Sequence, residues 1–308
     1  MQAAIYIPNF NGARHLPRVL RGLAEQTRPG RVVLVDNGSD DDSVALTRRD
    51  FPDVEVVELG ENLGFGRALN RAVASHPAEA LILLNNDTDP QPRFVEALLD
   101  GLGAGVDTIA GVLLQERSPE TIDSAGVIAD ETLMAFDYLN GEPVAALEGA
   151  GDPLGPTGGA ALYRRAAFEA VGGFDERIFL YYEDLDLALR MASGGGTCRL
   201  APEARALHAY SASLGARSGA KFAYTGWSRG YLLRRYRVLS QPRKAARALA
   251  CEATICAGQL LSSRTTAGLR GRLRGWRDAA GLSPRDATAA ALSPMSARQA
   301  LALRRNRG

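Results

Sequence analysis

Two hydrophobic rhythms alternate along the first hundred residues. Short unbroken apolar runs, AAIYIP, VVLVD, VEVVEL and ALILLN, have the length and Val/Ile/Leu content of strands buried on both faces. Between them lie segments whose apolar residues recur at helical spacing: RHLPRVLRGLAEQ, with Leu16, Val19, Leu20 and Leu23 on one face, then DDSVALTRRD and GFGRALNRAVAS. This alternation predicts a parallel sheet covered by helices on both faces. Ligands of such sheets bind beyond the carboxyl ends of the strands. The polar clusters sit at those ends: PNFNG after the first strand, DNGSDD after the second and NNDTD after the fourth.

From about Asp107 to Arg165 the rhythm changes. Short strand-like pieces (TIAGVLL, SAGVIA, GGAALYRR) are separated by Gly, Pro and acidic residues, which predicts an extension of the sheet with loops over one edge. EDLDLALRMA then reads as a helix. Beyond Tyr210 the pattern is helical throughout, in AKFAYTGWSRGYLLRRYRVL, PRKAARALACEATICAGQLL and a weaker Arg-rich stretch, punctuated by Pro242, Pro284 and Pro294. The terminal RRNRG reads as disordered. The expected organisation is an α/β domain over residues 1–215 and a helical extension over residues 216–308.

Charge divides the chain at the same place. The overall balance is +1, yet from Arg217 onward seventeen Arg and two Lys face only Glu252, Asp278 and Asp286, a net +16. The body is correspondingly acidic. A basic helical extension points to an anionic partner: a membrane surface, a lipid diphosphate or nucleic acid. The plainer reading is a set of solvated helix faces. The extension's aromatics (Phe222, Tyr224, Trp227, Tyr231, Tyr236, Trp276) mostly fall at helical spacing, which suits core or interface better than base stacking and counts against nucleic acid. Three cysteines, Cys198, Cys251 and Cys256, form no CxxC pair and fit a reducing cytoplasm. MQAAIYIPNFNG enters a strand at once, so no signal peptide is expected. No apolar run approaches the roughly 20 residues of a membrane span.

Four places carry candidate chemistry. Asp36 ends the second strand, where its carboxylate can accept a hydrogen bond from a pyrimidine base N–H or cap the next helix. Ser39, Asp40 and Asp41 suit the cap better, which leaves Asp36 free. In LLNNDTDP, Asp87 and Asp89 are the charged candidates for a divalent cation and Asn85 a neutral oxygen, with an Asn/Asp/Pro turn as the plain alternative. In FLYYEDLDLALR, Glu183, Asp184 and Asp186 are either a charge cluster at a helix start or the setting of a general base. Asp186 reads as a helix-face charge. His208 follows a strand-like RALHAY and is either structural or a ligand, whereas His15 and His76 read as surface or packing residues.

In order and spacing, IPNFNG, VVLVDNGSDDDS, ENLGFGRALN, LLNNDTDP, GGAALYRRAAFEAVGGFDERIFLYYEDLDLALR and His208 resemble the glycosyltransferase family 2 proteins of the GT-A fold, and especially their rhamnosyltransferase-like branch. The resemblance covers roughly residues 2 to 215. It implies a Rossmann-like, mostly parallel sheet with helices on both faces. It places Pro8, Asn9 and Asp36 in the nucleotide pocket, and Asn62, Gly64 and Asn70 near the nucleoside and diphosphate. It makes Asp87 the metal-binding member of a DxD-like motif whose first position is Asn85, leaving Asp89 beyond the motif. Asp184 becomes the base with Glu183 beside it, and His208 a further metal or diphosphate ligand. Thr157, Gly158 and Gly159 shape the sugar and acceptor pocket. Arg67 departs from the small residue often found there.

The implied activity is inverting, Mg²⁺- or Mn²⁺-dependent sugar transfer, from a nucleoside-diphosphate sugar to a hydroxyl of a polysaccharide or lipid-linked glycan. dTDP-rhamnose is the first donor and a UDP-sugar the second. The alternative is a non-catalytic sugar-nucleotide-binding or scaffold subunit. A cytoplasmic protein, peripheral on the inner face of the membrane, is expected, and a homo-oligomer is compatible with the sequence.

Overall fold

The computed structural model describes residues 2–209, 218–288 and 292–293. The expected boundary between residues 215 and 216, Pro294 and the RRNRG terminus lie outside them. The alternating half folds as its pattern predicts. Strands β1 (Ala3–Asn9), β2 (Arg31–Asp36), β3 (Glu55–Glu58) and β4 (Ala80–Leu84) lie in the order β3-β2-β1-β4, all parallel. Helices α1 (Leu16–Ala24), α2 (Ser43–Asp50) and α3 (Phe65–Ser75) connect them. The strand period of two sorts the core. Ile5 and Ile7 of β1 pack with Leu16, Val19, Leu20 and Leu23 of α1 on one face, while Ala4 and Tyr6 pack with Ala68, Leu69, Ala72 and Val73 of α3 on the other.

The second half continues the sheet with mixed polarity. After β5 (Thr88–Pro90), α4 (Phe94–Gly101), β6 (Thr108–Gln115) and β7 (Ser118–Ser124) comes a small hairpin of β8 (Val127–Ala129) and β9 (Ala135–Asp137). β10 (Ala160–Arg164) inserts antiparallel between β4 and β6. Beyond α5 (Arg165–Ala170) and α6 (Glu183–Ser193), β11 (Cys198–His208) runs parallel to β6 and pairs antiparallel with β5 at the edge. β7 pairs with the far end of β6.

The C-terminal helices are α7 (Gly219–Arg235), α8 (Pro242–Ser263) and α9 (Ala267–Asp278). α7 stops short of the helical run read from the sequence because Arg237 takes a left-handed φ of 50°. α7 and α9 meet backbone to backbone. A Cβ on Gly226, Gly230, Gly271 or Gly275 would collide with a main-chain oxygen of the facing helix. Glycines four residues apart on each helix permit this approach, as they do in membrane helix pairs. Beside the seam, the fully buried Arg229 reaches Glu252 of α8 at 2.6–2.7 Å, and Arg272 of α9 reaches the same carboxylate at 2.5 Å. Tyr231, Leu232 and Tyr236 share one apolar cluster with Leu185 and Leu189 of α6, so the extension is packed onto the helix that carries the acid pair. Among the described residues, no helix is long and apolar enough to cross a membrane.

Candidate active site

Parallel pairing in register sets Asn9 beside Asp36. Asn9 Nδ2 donates to Asp36 Oδ1 and to Ser39 Oγ, each at 3.2 Å, and Asn9 Oδ1 accepts from Asn86 Nδ2 at 2.8 Å. The ends of β1, β2 and the β4 loop are thereby tied together, with Pro8 half-buried one residue earlier. Asp36 is not free, as its sequence context implied. The turn after β2 folds back, with Gly38 at φ 79°, so that the Ser39 hydroxyl donates to Oδ1 at 2.6 Å and the Ser39 amide to Oδ2 at 3.1 Å. A carboxylate offers about four acceptor positions, which leaves room for a base N–H. Of the three cap candidates, Asp41 accepts the Ser43 amide at 3.1 Å.

Asn37, unremarked in the sequence, accepts the Leu63 amide at 2.8 Å and donates to Asn62 Oδ1 at 3.1 Å, drawing Asn62 and Gly64 toward the end of β2. Gly64 has φ 82°, and any Cβ there would strike the Phe179 carbonyl. The structure does not bring Asn70 to this group. Its amide is engaged by the GGFDE loop, donating to Phe174 O at 2.9 Å and Glu176 Oε1 at 3.3 Å and accepting from Phe174 N at 3.0 Å. Arg67, one helical turn earlier, stands 3.6 Å from Glu176. Both therefore clamp the GGFDE loop onto α3.

Beyond the end of β4 and at the end of β11, Asp87 Oδ1 and His208 Nε2 lie 3.4 Å apart. β7 and β11 both flank β6, which brings Asp123 Oδ2 to 2.7 Å from His208 Nδ1. Burial pulls the imidazole pKa down, but the two carboxylates outweigh it and raise it to about 9. For Asp87, burial pushes the pKa up, and the bond to His208 outweighs it and brings it below its ordinary value. A carboxylate that fixes one ring nitrogen and turns the other toward a ligand position is the usual outer partner of a metal-bound histidine. Asp89 pairs instead with Arg18 at 2.9 Å. His15, read from the sequence as a surface or packing residue, is half-buried at the start of α1, within electrostatic reach of Asp87. Among the described residues no three His, Cys, Asp or Glu gather as a metal cluster, so Asp87 and His208 form a two-donor set of oxygen and imidazole. Such a set suits Mn²⁺ or Mg²⁺ when a diphosphate and water complete the shell.

The acid pair sits on a strained turn. Tyr181 and Tyr182 have φ of 70° and 69°, a left-handed conformation that costs roughly 1–2 kcal/mol for each non-glycine residue. The turn starts α6 with both carboxylates buried. Asp184 accepts from the Leu185 amide at 2.7 Å, from the Gly158 amide and from the Thr157 side chain. The Gly159 carbonyl accepts the Asn85 amide at 3.2 Å, so the TGG segment bridges the acid pair and the Asp87 loop. A Cβ on Gly158 would meet the Phe65 ring, and one on Gly159 would sit 3.0 Å from the Asn85 amide. Burial, then the neighbouring Asp184, raises the Glu183 carboxyl to about 8, and its Oε2 is buried with no hydrogen-bond partner. Burial also raises Asp184, moderated by the three donors. Like charges this close do not both ionise at neutral pH. The donors around Asp184 favour its ionised form, whereas burial and the Asp184 neighbour favour a protonated Glu183.

Asp186 is not a helix-face charge. It is fully buried, held by Arg190 at 2.8 Å, Arg285 at 2.6 Å and the Tyr236 hydroxyl at 2.9 Å. Arg285 also reaches Asp175 at 2.9 Å, and Tyr231 donates to Asp175 at 2.7 Å.

Residues 4–172 match the family described as Glycosyl transferase family 2, and the chain belongs to that family. It is a glycosyltransferase of the rhamnosyltransferase-like kind. It is 34% identical over 233 residues to the N-acetylglucosaminyl-diphospho-decaprenol L-rhamnosyltransferase of Mycobacterium tuberculosis, covering 67% of this chain and 75% of that one. It is 26% identical over 223 residues to the O-antigen chain rhamnosyltransferase RfbN of Salmonella typhimurium, covering 68% and 67%. Its fold matches the mannosyltransferase PcManGT from Pyrobaculum calidifontis in complex with GDP-Man and Mn²⁺ (TM-score 0.56, 18% identity, 99% and 79% covered). It also matches GalNAc-T7 with UDP, GalNAc and Mn²⁺ (TM-score 0.64, 13% identity, 92% and 55% covered). The fold is of the GT-A type.

Proposed function

We propose that this chain is an inverting transferase that moves one sugar from a nucleoside diphosphate to a hydroxyl of a polysaccharide or lipid-linked glycan, with Asp184 as the base. dTDP-rhamnose is the first donor to test and a UDP-sugar the second; the rhamnosyltransferase relatives favour the first. The observation that carries the reading is the TGG bridge. It makes Thr157 and Gly158 hydrogen-bond donors to Asp184 while Gly159 holds the loop that bears Asp87.

Asn9, Asp36, Asn62 and Gly64, with Pro8 beside them, receive the nucleoside, while Asn70 acts from behind by holding the GGFDE loop. Asp87 and His208 hold a divalent cation, which when bound neutralises charge on the diphosphate. Asp184, ionised and held by three donors, accepts the acceptor hydroxyl's proton as that oxygen attacks the anomeric carbon from the face opposite the diphosphate. A single displacement inverts the configuration and needs no enzyme nucleophile, so one carboxylate suffices. Glu183 keeps its proton and spares the site a second negative charge. Residues 1–215 are proposed as the transfer domain and residues 216–308 as an extension that contacts an anionic surface.

The test is transfer from dTDP-rhamnose and UDP-sugars by Asp184→Asn. Transfer falls by about 10²- to 10⁴-fold, while nucleotide-dependent thermal stabilisation persists. Undiminished transfer removes Asp184 from the role. A parent protein that is stabilised by nucleotide but never transfers marks the non-catalytic scaffold instead.

A further inference from the structure

Of the large apolar side chains left exposed among the described residues, every one but Phe10 lies on α8 or α9. Leu261 is 84% exposed, Leu273 64%, Leu249 56%, Leu260 51% and Leu269 46%. On α8 they belong to a continuous outward stripe. Ala246, Leu249, Ala253, Ala257, Leu260 and Leu261 are exposed at helical spacing, opposite the buried Ala248, Cys251 and Glu252. From Ala248 to Ser263 the one charged residue is Glu252, which faces inward onto Arg229 and Arg272. A helix of a water-bathed protein ordinarily turns its charged face outward. From Ala248 onward this helix hides its charge and shows mainly alanine and leucine. Exposed cations stand at the two ends of α8, Arg243 and Arg264, and α9 carries exposed Arg270, Arg274 and Arg277 interleaved with Leu269 and Leu273.

We propose that α8 lies flat in the surface of an anionic bilayer, with Leu249, Leu260 and Leu261 inserted among the acyl chains and the flanking arginines on the lipid phosphates. An apolar side with arginine at its ends suits an interfacial helix, and α8 is not long and apolar enough to cross a membrane. Charge chooses among occupants. A second copy docked face to face would set the same arginines against one another, whereas an anionic headgroup layer complements them. The inference deepens the reading of residues 216–308 as a contact region and names the surface on which a lipid-linked acceptor would be met.

The experiment is co-sedimentation of the full chain with vesicles of phosphatidylcholine alone or mixed with phosphatidylglycerol, at low and high salt, without donor. The parent pellets with the mixed vesicles, and high salt weakens but does not abolish the partition. The triple variant Leu249→Ser/Leu260→Ser/Leu261→Ser partitions at least tenfold less, with its thermal midpoint and its mass in solution unchanged. Three results overturn the proposal: a variant that pellets like the parent, complete release of the parent by salt alone, or a parent dimer that the variant dissolves. Nucleotide-dependent stabilisation is read on the same samples. Its loss with vesicle partition intact strikes the transferase reading and leaves this one standing.

Discussion

Two buried carboxylates, one in each half of the molecule, are treated in opposite ways. Glu252 in the extension lies between Arg229 and Arg272; burial pushes its carboxyl up, but the two guanidinium groups outweigh it and bring it down to about 2. Glu183 in the body lies beside another acid with no cation against it, and burial and that neighbour drive it up to about 8. The extension therefore buries charge with its counter-charge, an arrangement whose role is to hold helices together. At Glu183 the body instead buries one acid against another, which is unfavourable for folding and typical of groups held at a shifted pKa. Perturbation in opposite directions separates a carboxylate that ties helices together from one whose surroundings oppose its ionisation.

The widest break of that contrast is Glu252→Ala. It leaves two guanidinium groups buried without their partner, and a loss on the order of 3–5 kcal/mol is expected, read as a large drop in the denaturation midpoint. If nucleotide stabilisation vanishes in the same transition, extension and body unfold as one unit; two separate transitions would divide them. Arg285→Ala is next, at about 2–4 kcal/mol by the same argument, because Asp175 and Asp186 lose a shared cation. Transfer is expected to fall with it, since Asp186 is two residues from Asp184. Asp123→Asn leaves the fold intact and releases the His208 ring; a 10- to 100-fold loss of Mn²⁺ affinity in the presence of nucleoside diphosphate is expected, measured by electron paramagnetic resonance.

The smallest effect concerns pH. Glu183 has a folded pKa above its unfolded value, so it favours the folded state at low pH, and that contribution is lost as pH rises from about 4.5 through about 8. Glu183→Gln is expected to raise the thermal midpoint by a few degrees at pH 8.5 and by less at pH 5.5. Glu252 has the opposite sign: its contribution is full above pH 4.5 and fades as pH falls toward about 2. Equal stabilisation by Glu183→Gln at both pH values would remove burial of an ionised pair as the cause.

The sequence carried the architecture of the alternating half, because apolar runs and polar strand ends are local signals. Of the candidate site, Asp36, Asp87 and Asp184 stand out in the sequence because strands or helices begin or end there, whereas Asn9 and Thr157 are implied only by the family resemblance. Asp186 was misread because the partners that bury it, Tyr236 and Arg285, follow 50 and 99 residues later. Asp123 escaped notice because its role depends on β7 and β11 sharing β6, a pairing that no local pattern encodes. Asn70 sits on the right helix but one turn past the nucleotide end. The glycine seam was there to be found: GWSRG and GRLRG each space glycines four apart, and helical phase sets both pairs on one face.

Arg285 also has a bearing on how the molecule is made. The carboxylates it neutralises belong to the α6 region, yet Arg285 follows Asp186 by 99 residues. During synthesis from the N-terminus, the sheet can assemble from segments already emerged, whereas α6 acquires its full complement of counter-charge only once Arg285 has been made. Chains cut before Arg285 would therefore hold a formed sheet beside an α6 region whose buried carboxylates lack a shared cation.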